Sequence, residues 1–441
     1  MIKKFLLLAS ITVLVSNCSF FTNKVEALVT SENELSKKKS DIQLKASKKS
    51  LFCFEKKINL LLEDEATIKY YQPLFPILFD TKNFSFIQKA AMLSLIEMTR
   101  RPDEASPTSR LQYYLRFNSK NYYFDFSTIN PDDDSKMPLL KGIENLLISF
   151  DNSKNLNRLI EILDGILPQN MNVSPELETF LKENRNELIK NESLAEAFFK
   201  GDEVLTRHES FKKTSLKKLV SRYYSEKKSS DQFYNFSKNS LFKNDTSQVG
   251  AELNCNVDIN QDNALNEELF NFEKRKSHYF AIKDNDNFFI AVSSAIIQKP
   301  FKNIEHTYFF KAKPVSTPLP VCQFKNNQQD IALISTSGRN PSQHLKHLLT
   351  YDIEQIDSFK TLAELLNFSR HLFLSNPDRI LYESKRGRKS QLDFFLSMNF
   401  PIYHVDSLGD IIGSAAFRNG PNEDRSLVVD DRSQARIWCV P

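Results

Sequence analysis

Hydroxyl, guanidinium and amide side chains crowd one stretch of this chain, Ile334-Ser335-Thr336-Ser337-Gly338-Arg339-Asn340-Pro341-Ser342. The apolar residues up to Ile334 predict a strand, Gly338 a loop, and Ser342 the N-cap of a helix running to Leu349. Backbone N–H groups at a helix start attract anions, so Ser335, Ser337, Gly338, Arg339 and Ser342 are candidate ligands for a phosphate or other anion, with a capped turn as the plainer reading. His344 and His347 stand three apart on the same helix. Two imidazoles can open a metal site, but the sequence nominates no further ligands and lacks the glutamate of H-E-x-x-H. Asp258, Asn260 and Asp262 are a separate candidate metal set, oxygen donors at positions 1, 3 and 5 of an EF-hand-like calcium loop. That pattern breaks where Asn263 replaces the glycine and Leu269 the bidentate glutamate, leaving an Asn-rich turn and helix cap as its alternative.

Over about a dozen residues the Ser335–Ser342 loop resembles the Ser/Gly loop of sugar-isomerase-type domains. The resemblance implies a sugar-phosphate ligand within a parallel sheet, a pattern the flanking sequence lacks. Serine catalysis finds little support. S-x-x-K occurs at Ser36, Ser210, Ser215 and Ser240, all in Ser/Lys-rich segments, with no K-T-G or G-x-S-x-G beside it. A catalytic thiol at Cys255 or Cys322 sits poorly with export to an oxidising compartment. No catalytic residue is assigned on these grounds.

Export itself is written at the amino terminus. Lys3 and Lys4 precede an apolar run from Phe5 to Val15, then Ser16, Asn17 and Cys18, the layout of a signal peptide. The run is about half the roughly 20 residues that span a bilayer as a helix. Val15-Ser16-Asn17-Cys18 resembles the lipobox of bacterial lipoproteins, with Asn17 where that family has Gly, Ala or Ser. The resemblance implies cleavage before Cys18, a diacylglyceryl thioether, an amino-terminal acyl chain such as palmitate, and so a membrane partner through the N-terminal lipid. Ser19, where an aspartate would favour the inner membrane, implies the outer membrane if the host has one. Val25-Glu26-Ala27 is a competing processing pattern for ordinary secretion.

Composition narrows the function classes. The 441 residues are 41% hydrophobic and 12% aromatic, enough for folded cores. A net charge of +4 makes no case for a nucleic-acid partner. Glycines number only nine, against roughly 7% in average proteins, and neither G-x-x-x-x-G-K-[ST] nor G-x-G-x-x-G occurs. That argues against a nucleotide-dependent enzyme and implies no cofactor. With Cys18 assigned to lipid, Cys53, Cys255, Cys322 and Cys439 form an even set. Cys322 with Cys439 is the expected disulfide, pinning the terminal strand, and four buried thiols are the alternative.

The elements that must hold these residues follow from periodicity. Residues 19 to 50 are Lys-, Ser- and Glu-rich and read as a tether. Leu139, Ile143, Leu146, Leu147 and Phe150, then Leu156, Leu159, Ile160 and Leu163, recur at helical spacing; Ser174 with Pro175 starts a further helix. Phe84 to Met98 is apolar almost all round, a buried helix, and Tyr122–Phe126 a short strand or hairpin arm. Later runs at 280–283, 288–292, 308–310, 331–334, 380–382 and 437–439 predict strands, with helices at 344–349 and from Ile356 to Phe373. The expected fold class is multidomain α and α+β: signal peptide 1–17, flexible tether 18–50, N-terminal helical domain 51–210, polar linker 211–250, and a mixed α+β C-terminal domain 251–441. Tyr223, Tyr224, Phe233, Tyr234, Phe236 and Phe242 among the lysines suit a polyanionic envelope polymer.

The reading that results is a lipid-anchored protein of the bacterial cell envelope, a binding or structural module for an envelope polymer or protein partner. The alternative is an envelope hydrolase or transferase with a site near Ser335–His347. Lipidation has a direct check. Globomycin treatment or Cys18→Ala is expected to change the protein's size and release it from membranes, whereas unchanged size, partition and lipid labelling would remove the lipoprotein reading.

Overall fold

The computed structural model describes residues 58–62, 71, 83–128, 137–151, 156–226, 234–238, 242–244, 252–256, 275–297, 310, 312–314, 318–336, 344–345, 348, 353, 356–374, 378–387, 389–398, 401–419, 422–433 and 435–439. Alternation decides where the strand residues go, because successive side chains point to opposite faces. In the strand Arg275–Asp284, Tyr279 and Ala281 enter one core while Phe280 and Ile282 enter another. Asn287–Ile297 does the same, with Phe288, Ile290 and Val292 on one side and Phe289 and Ala291 on the other.

These strands belong to an eight-stranded antiparallel sheet whose order is Arg436–Cys439, Asn59–Leu62, Arg275–Asp284, Asn287–Ile297, Arg110–Phe117, Lys120–Thr128, Tyr234–Lys238, with Ala312–Pro314 also paired to Asn287–Ile297. A six-stranded antiparallel sheet runs Asn422–Val429, Ile411–Asn419, Gln329–Ser335, Val321–Lys325, Glu252–Cys255, Phe242–Asn244. The two sheets face each other across a shared core, where Leu61, Tyr114, Ile290 and Val292 meet Val321, Ala332, Ile334, Ile412 and Leu427. The protein is therefore mixed α and β, and one sheet joins strands from residues 59–128 to strands from residues 275–439, across the expected linker at 211–250.

Helices cover both outer faces. On the eight-stranded sheet lies Phe86–Arg100, started by a Ser85 capping box and buried at every residue but Gln88, as its all-round apolar sequence requires. Pro138–Phe150 lies beside it, and Gly142 permits the close approach: a Cβ there would stand 2.6 Å from Leu111 Cδ2. Leu156–Ile166 and the Ser174-capped Pro175–Glu183 follow as expected. On the six-stranded sheet, Phe359–Leu366 packs with Leu345, Leu348 and Ile353. The order of layers is helix, sheet, sheet, helix.

Several expectations change here. The helix expected from Ile356 to Phe373 ends with its C-cap at Asn367, and Phe373 lies in the strand His371–Leu374, because Leu372 and Leu374 pack against Leu381 and Leu408 with a period of two. Ile331–Ser335 pairs antiparallel on both sides, so the parallel sheet implied by the isomerase-type loop is not the fold. Tyr223 is core rather than a polymer platform: it is buried and donates to Glu144 Oε2 at 2.8 Å. Phe233 and the segment expected as a strand at 308–309 lie outside the described residues.

The disulfide also differs. Cys322 is bonded to Cys255, its direct cross-strand neighbour. Cys439 belongs to the other sheet, opposite Asn59, so the expected Cys322–Cys439 bond is replaced. A non-reduced tryptic map should link the Cys255 and Cys322 peptides and never the Cys322 and Cys439 peptides. Since the bridge spans 67 residues, Cys255→Ala with Cys322→Ala is expected to lower unfolding stability in urea by about 2–4 kcal/mol.

Candidate active site

Toward one end of the sandwich the inner core turns polar. Ser277 sits two residues beyond Tyr279 on the same strand face and is half-buried. Its cross-strand partner is Ser294, and Ser294 is in turn opposite Arg110. With strands roughly 4.8 Å apart, this row of two hydroxyls and a guanidinium spans about 10 Å. Ser294 is fully buried, and its Oγ has no hydrogen-bond partner among the described residues. Arg110 donates through Nε to Asp125 Oδ1 at 2.7 Å and through Nη2 to Oδ2, a bidentate buried pair.

A clamp of amides holds the second sheet against this row. Leu319 N donates to Gln112 Oε1 at 2.7 Å, and Leu319 O accepts from Gln112 Nε2 at 3.0 Å and Asn256 Nδ2 at 2.8 Å. Both side-chain amides also donate to Tyr123 Oη, at 2.7 and 2.8 Å. Burial, reinforced by the Asp125 charge, pushes the Tyr123 phenol well above its ordinary value, so it stays neutral and can accept. Tyr279 and Ser433 share a further hydroxyl bond between the sheets.

Ser433 is placed by a buried ionic knot. Arg432 Nε donates to both Glu383 oxygens at 2.9 and 3.0 Å, and its Nη1 to Asp430 Oδ1 at 3.0 Å. Arg370 Nη2 pairs with the other Asp430 oxygen, and its backbone N donates to Glu383 Oε2 at 3.0 Å. Burial opposes the Arg432 charge, but Asp430 and Glu383 outweigh it and raise its proton affinity. The knot thereby ties the 430–433 turn to the strand end at Ile411, whose carbonyl accepts from Asp430 N at 2.9 Å.

On the opposite face of the first sheet, Ser293, His278 and Glu97 have the residue types of a catalytic triad. Their geometry is structural. Ser293 Oγ donates to the Glu104 carbonyl at 2.9 Å, His278 Nε2 bonds Glu97 Oε2 at 2.7 Å, and all three residues are fully buried. Glu97 also accepts from Tyr71 and from Arg100 Nη2 at 3.0 Å. Burial by itself would push the Glu97 carboxyl up, yet the Arg100 and His278 charges and the bonds from His278 and Tyr71 hold it far below the ordinary range.

The residues singled out from sequence divide between this end and the undescribed segments. Ser335 closes the strand Gln329–Ser335, fully buried, with its N donating to Pro320 O at 3.2 Å and its Oγ unpartnered among the described residues. Pro320 adjoins the clamped Leu319, so Ser335 reaches the same end of the sandwich as Ser277. His344 is buried. Ser337, Gly338, Arg339, Ser342 and His347, the calcium candidates Asp258, Asn260 and Asp262, and the lipid candidate Cys18 lie outside the described residues. Among the described residues no group of three or more His, Cys, Asp or Glu could hold a metal ion. Ser277, Ser294, Arg110 and Asp125 are absent from the sequence-based candidates. The one local signal was a pair of serines, Ser293 and Ser294, interrupting an apolar strand.

The sequence matches no known family model and no curated protein. The fold, in contrast, is similar to that of the cephalosporin acylase from Bacillus halodurans, with a TM-score of 0.57 at 10% identity, covering 89% of this chain and 97% of that one. It is similar also to proteins named LmbA2991T421A, at a TM-score of 0.61 and 8% identity, and LmbA2991HD, at 0.60 and 7%, each covering 88% of this chain and 99% of the other. At such identities the likeness is one of fold. Extending over nearly nine-tenths of the chain, it overturns the expectation of a binding or structural module.

The Glu97 network makes stability depend on pH. A carboxylate held below its ordinary value of 4.5 stabilises the fold fully above that pH and loses the contribution as pH falls below it. Glu97→Gln is expected to cost about 3–5 kcal/mol at pH 7. The gap from wild type should narrow as pH falls below 4.5, read from urea unfolding at each pH.

Proposed function

We propose that this protein is an acyl hydrolase or acyltransferase that opens an amide bond, with Ser277 as its nucleophile. The row of Ser277, Ser294 and Arg110 carries this reading: a half-buried hydroxyl beside a buried, unpartnered hydroxyl and a guanidinium, at the end of a two-sheet sandwich of acylase-like fold.

A serine hydroxyl needs a base. His278, next in sequence, points to the opposite face and is engaged with Glu97, while Asp125 on the inner face is committed to Arg110. We assign as base the α-amino group of Ser277 itself, released by cleavage of the Lys276–Ser277 peptide bond, a known way of activating a hydroxyl nucleophile. In this scheme Ser277 Oγ attacks the acyl carbonyl carbon and its proton passes to the amine, then to the departing nitrogen. The acyl group is left as an ester on Ser277. Water, or a second amine in a transfer reaction, attacks that ester and returns the proton to Oγ. Ser294 Oγ is the adjacent hydroxyl donor for the developing oxyanion, and the bidentate Arg110–Asp125 pair holds the strand beside it in place.

The Cys255–Cys322 bond supports an oxidising compartment, in keeping with export. We place the enzyme at the bacterial envelope, tied to a membrane by lipid on Cys18. Purified protein should yield a fragment whose amino terminus is Ser277 and should release chromophore from acyl p-nitroanilides. Ser277→Ala is expected to prevent the cleavage and to lower kcat/KM by at least about 10³-fold. An uncut chain, or a Ser277→Ala protein as active as wild type, would overturn the proposal.

A further inference from the structure

The helix Lys389–Ser397 buries only a narrow stripe. Phe395 packs against Tyr382, Phe373 and His371, with ring centroids 5.4, 6.0 and 4.8 Å away. Phe394, Leu396 and Met398 remain 60%, 57% and 37% exposed. They are three of the six large apolar side chains so exposed among the described residues, gathered within five positions. At 3.6 residues per turn, Phe394 and Met398 stand one turn apart on one shoulder of the buried stripe and Leu396 on the other, so the apolar side chains flank it on both sides.

Charge in this segment is one-sided. Residues 384–398 contain Lys385, Arg386, Arg388 and Lys389 against Asp393 alone, at pH 7 a net of four minus one, or +3. Arg386 is taken up by Asp431, its Nη2 donating to Oδ1 at 3.1 Å, whereas Lys385 and Lys389 are exposed and the Lys385 pair with Asp406 lies almost wholly in solvent and is weakly held. Exposed Phe, Leu and Met beside a run of Lys and Arg match an anionic bilayer on both counts: the apolar side chains enter the acyl boundary while the cations meet the headgroups.

We propose that this helix, with the basic run before it, docks on an anionic membrane surface. The contact uses none of the residues of the row at Ser277 and does not involve the lipid candidate Cys18. It would fix which face of the protein turns to the bilayer, whatever lipid the chain itself carries.

Hydrogen exchange of the full chain with and without vesicles tests it locally, so that an anchor elsewhere does not count. Phosphatidylglycerol vesicles should slow exchange over residues 389–398, and phosphatidylcholine vesicles should not. Phe394→Ser with Leu396→Ser should raise the lipid concentration needed for that protection at least about tenfold, and Lys389→Gln about fivefold. Both positions are exposed, so the urea unfolding midpoint should stay unchanged; if it shifts, the Lys389→Gln response alone decides. No protection by phosphatidylglycerol, equal protection by both lipids, or protection that grows with protein concentration in the absence of lipid would overturn the proposal, the last by assigning the face to a second copy of the chain.

Discussion

Everything in this structure depends on two antiparallel sheets being held face to face by a core with polar pins at both ends. At one end Asp330 accepts from Arg116 at 2.7 Å, from Arg425 at 3.0 Å and from Gln323 at 2.9 Å, with Arg425 also lying over the Phe288 ring at 5.4 Å. At the other end Gln112 and Asn256 grip the backbone of Leu319. Apolar packing alone tolerates sliding, since it has no direction. Directional bonds between named atoms do not, and here they set one sheet in register with the other.

The same pins explain why polar chemistry gathers at one end. A buried hydroxyl such as Ser294 is tolerated where the surrounding backbone is fixed by stronger bonds, here the Arg110–Asp125 pair and the Leu319 clamp. The ionic knot of Arg370, Glu383, Asp430 and Arg432 does comparable work for the turn that carries Ser433. By contrast, the Glu97–His278 network spends its bonds on joining a helix to the outer face of the sheet, and its complete burial leaves no path for a substrate. Residue types alone would have ranked it first as a catalytic site.

Local structure was largely legible before any coordinates. The helices at 86–100, 138–150 and 156–166, the Ser174 cap and the strands around 280, 290, 332, 381 and 438 follow from periodicity and capping, which act within a few residues. Legibility failed where partners are distant. Nothing near Asn59 announces that it pairs with residues 283 and 439, and nothing near Cys322 distinguishes Cys255 from Cys439. The candidate site shared this fate: Ser335 was visible because a glycine and a cap follow it, while Ser277 and Arg110 lie in ordinary strands 167 residues apart. The mistaken helix through Phe373 has a similar origin, since a strand partner at residues 379–382 outweighed local helical spacing.

By itself the sequence determined many of the helices and several strands with their faces, the scarcity of glycine that argues against nucleotide-binding loops, and a signal-peptide-like start, because each depends on composition or on spacing within one element. Only the tertiary structure decided that the two sheets form a four-layer sandwich, which cysteine bonds to Cys322, and which serines meet a guanidinium. Those outcomes rest on pairing between segments remote in the chain. Their register comes from burying every inner face at once, a condition no single window of sequence contains.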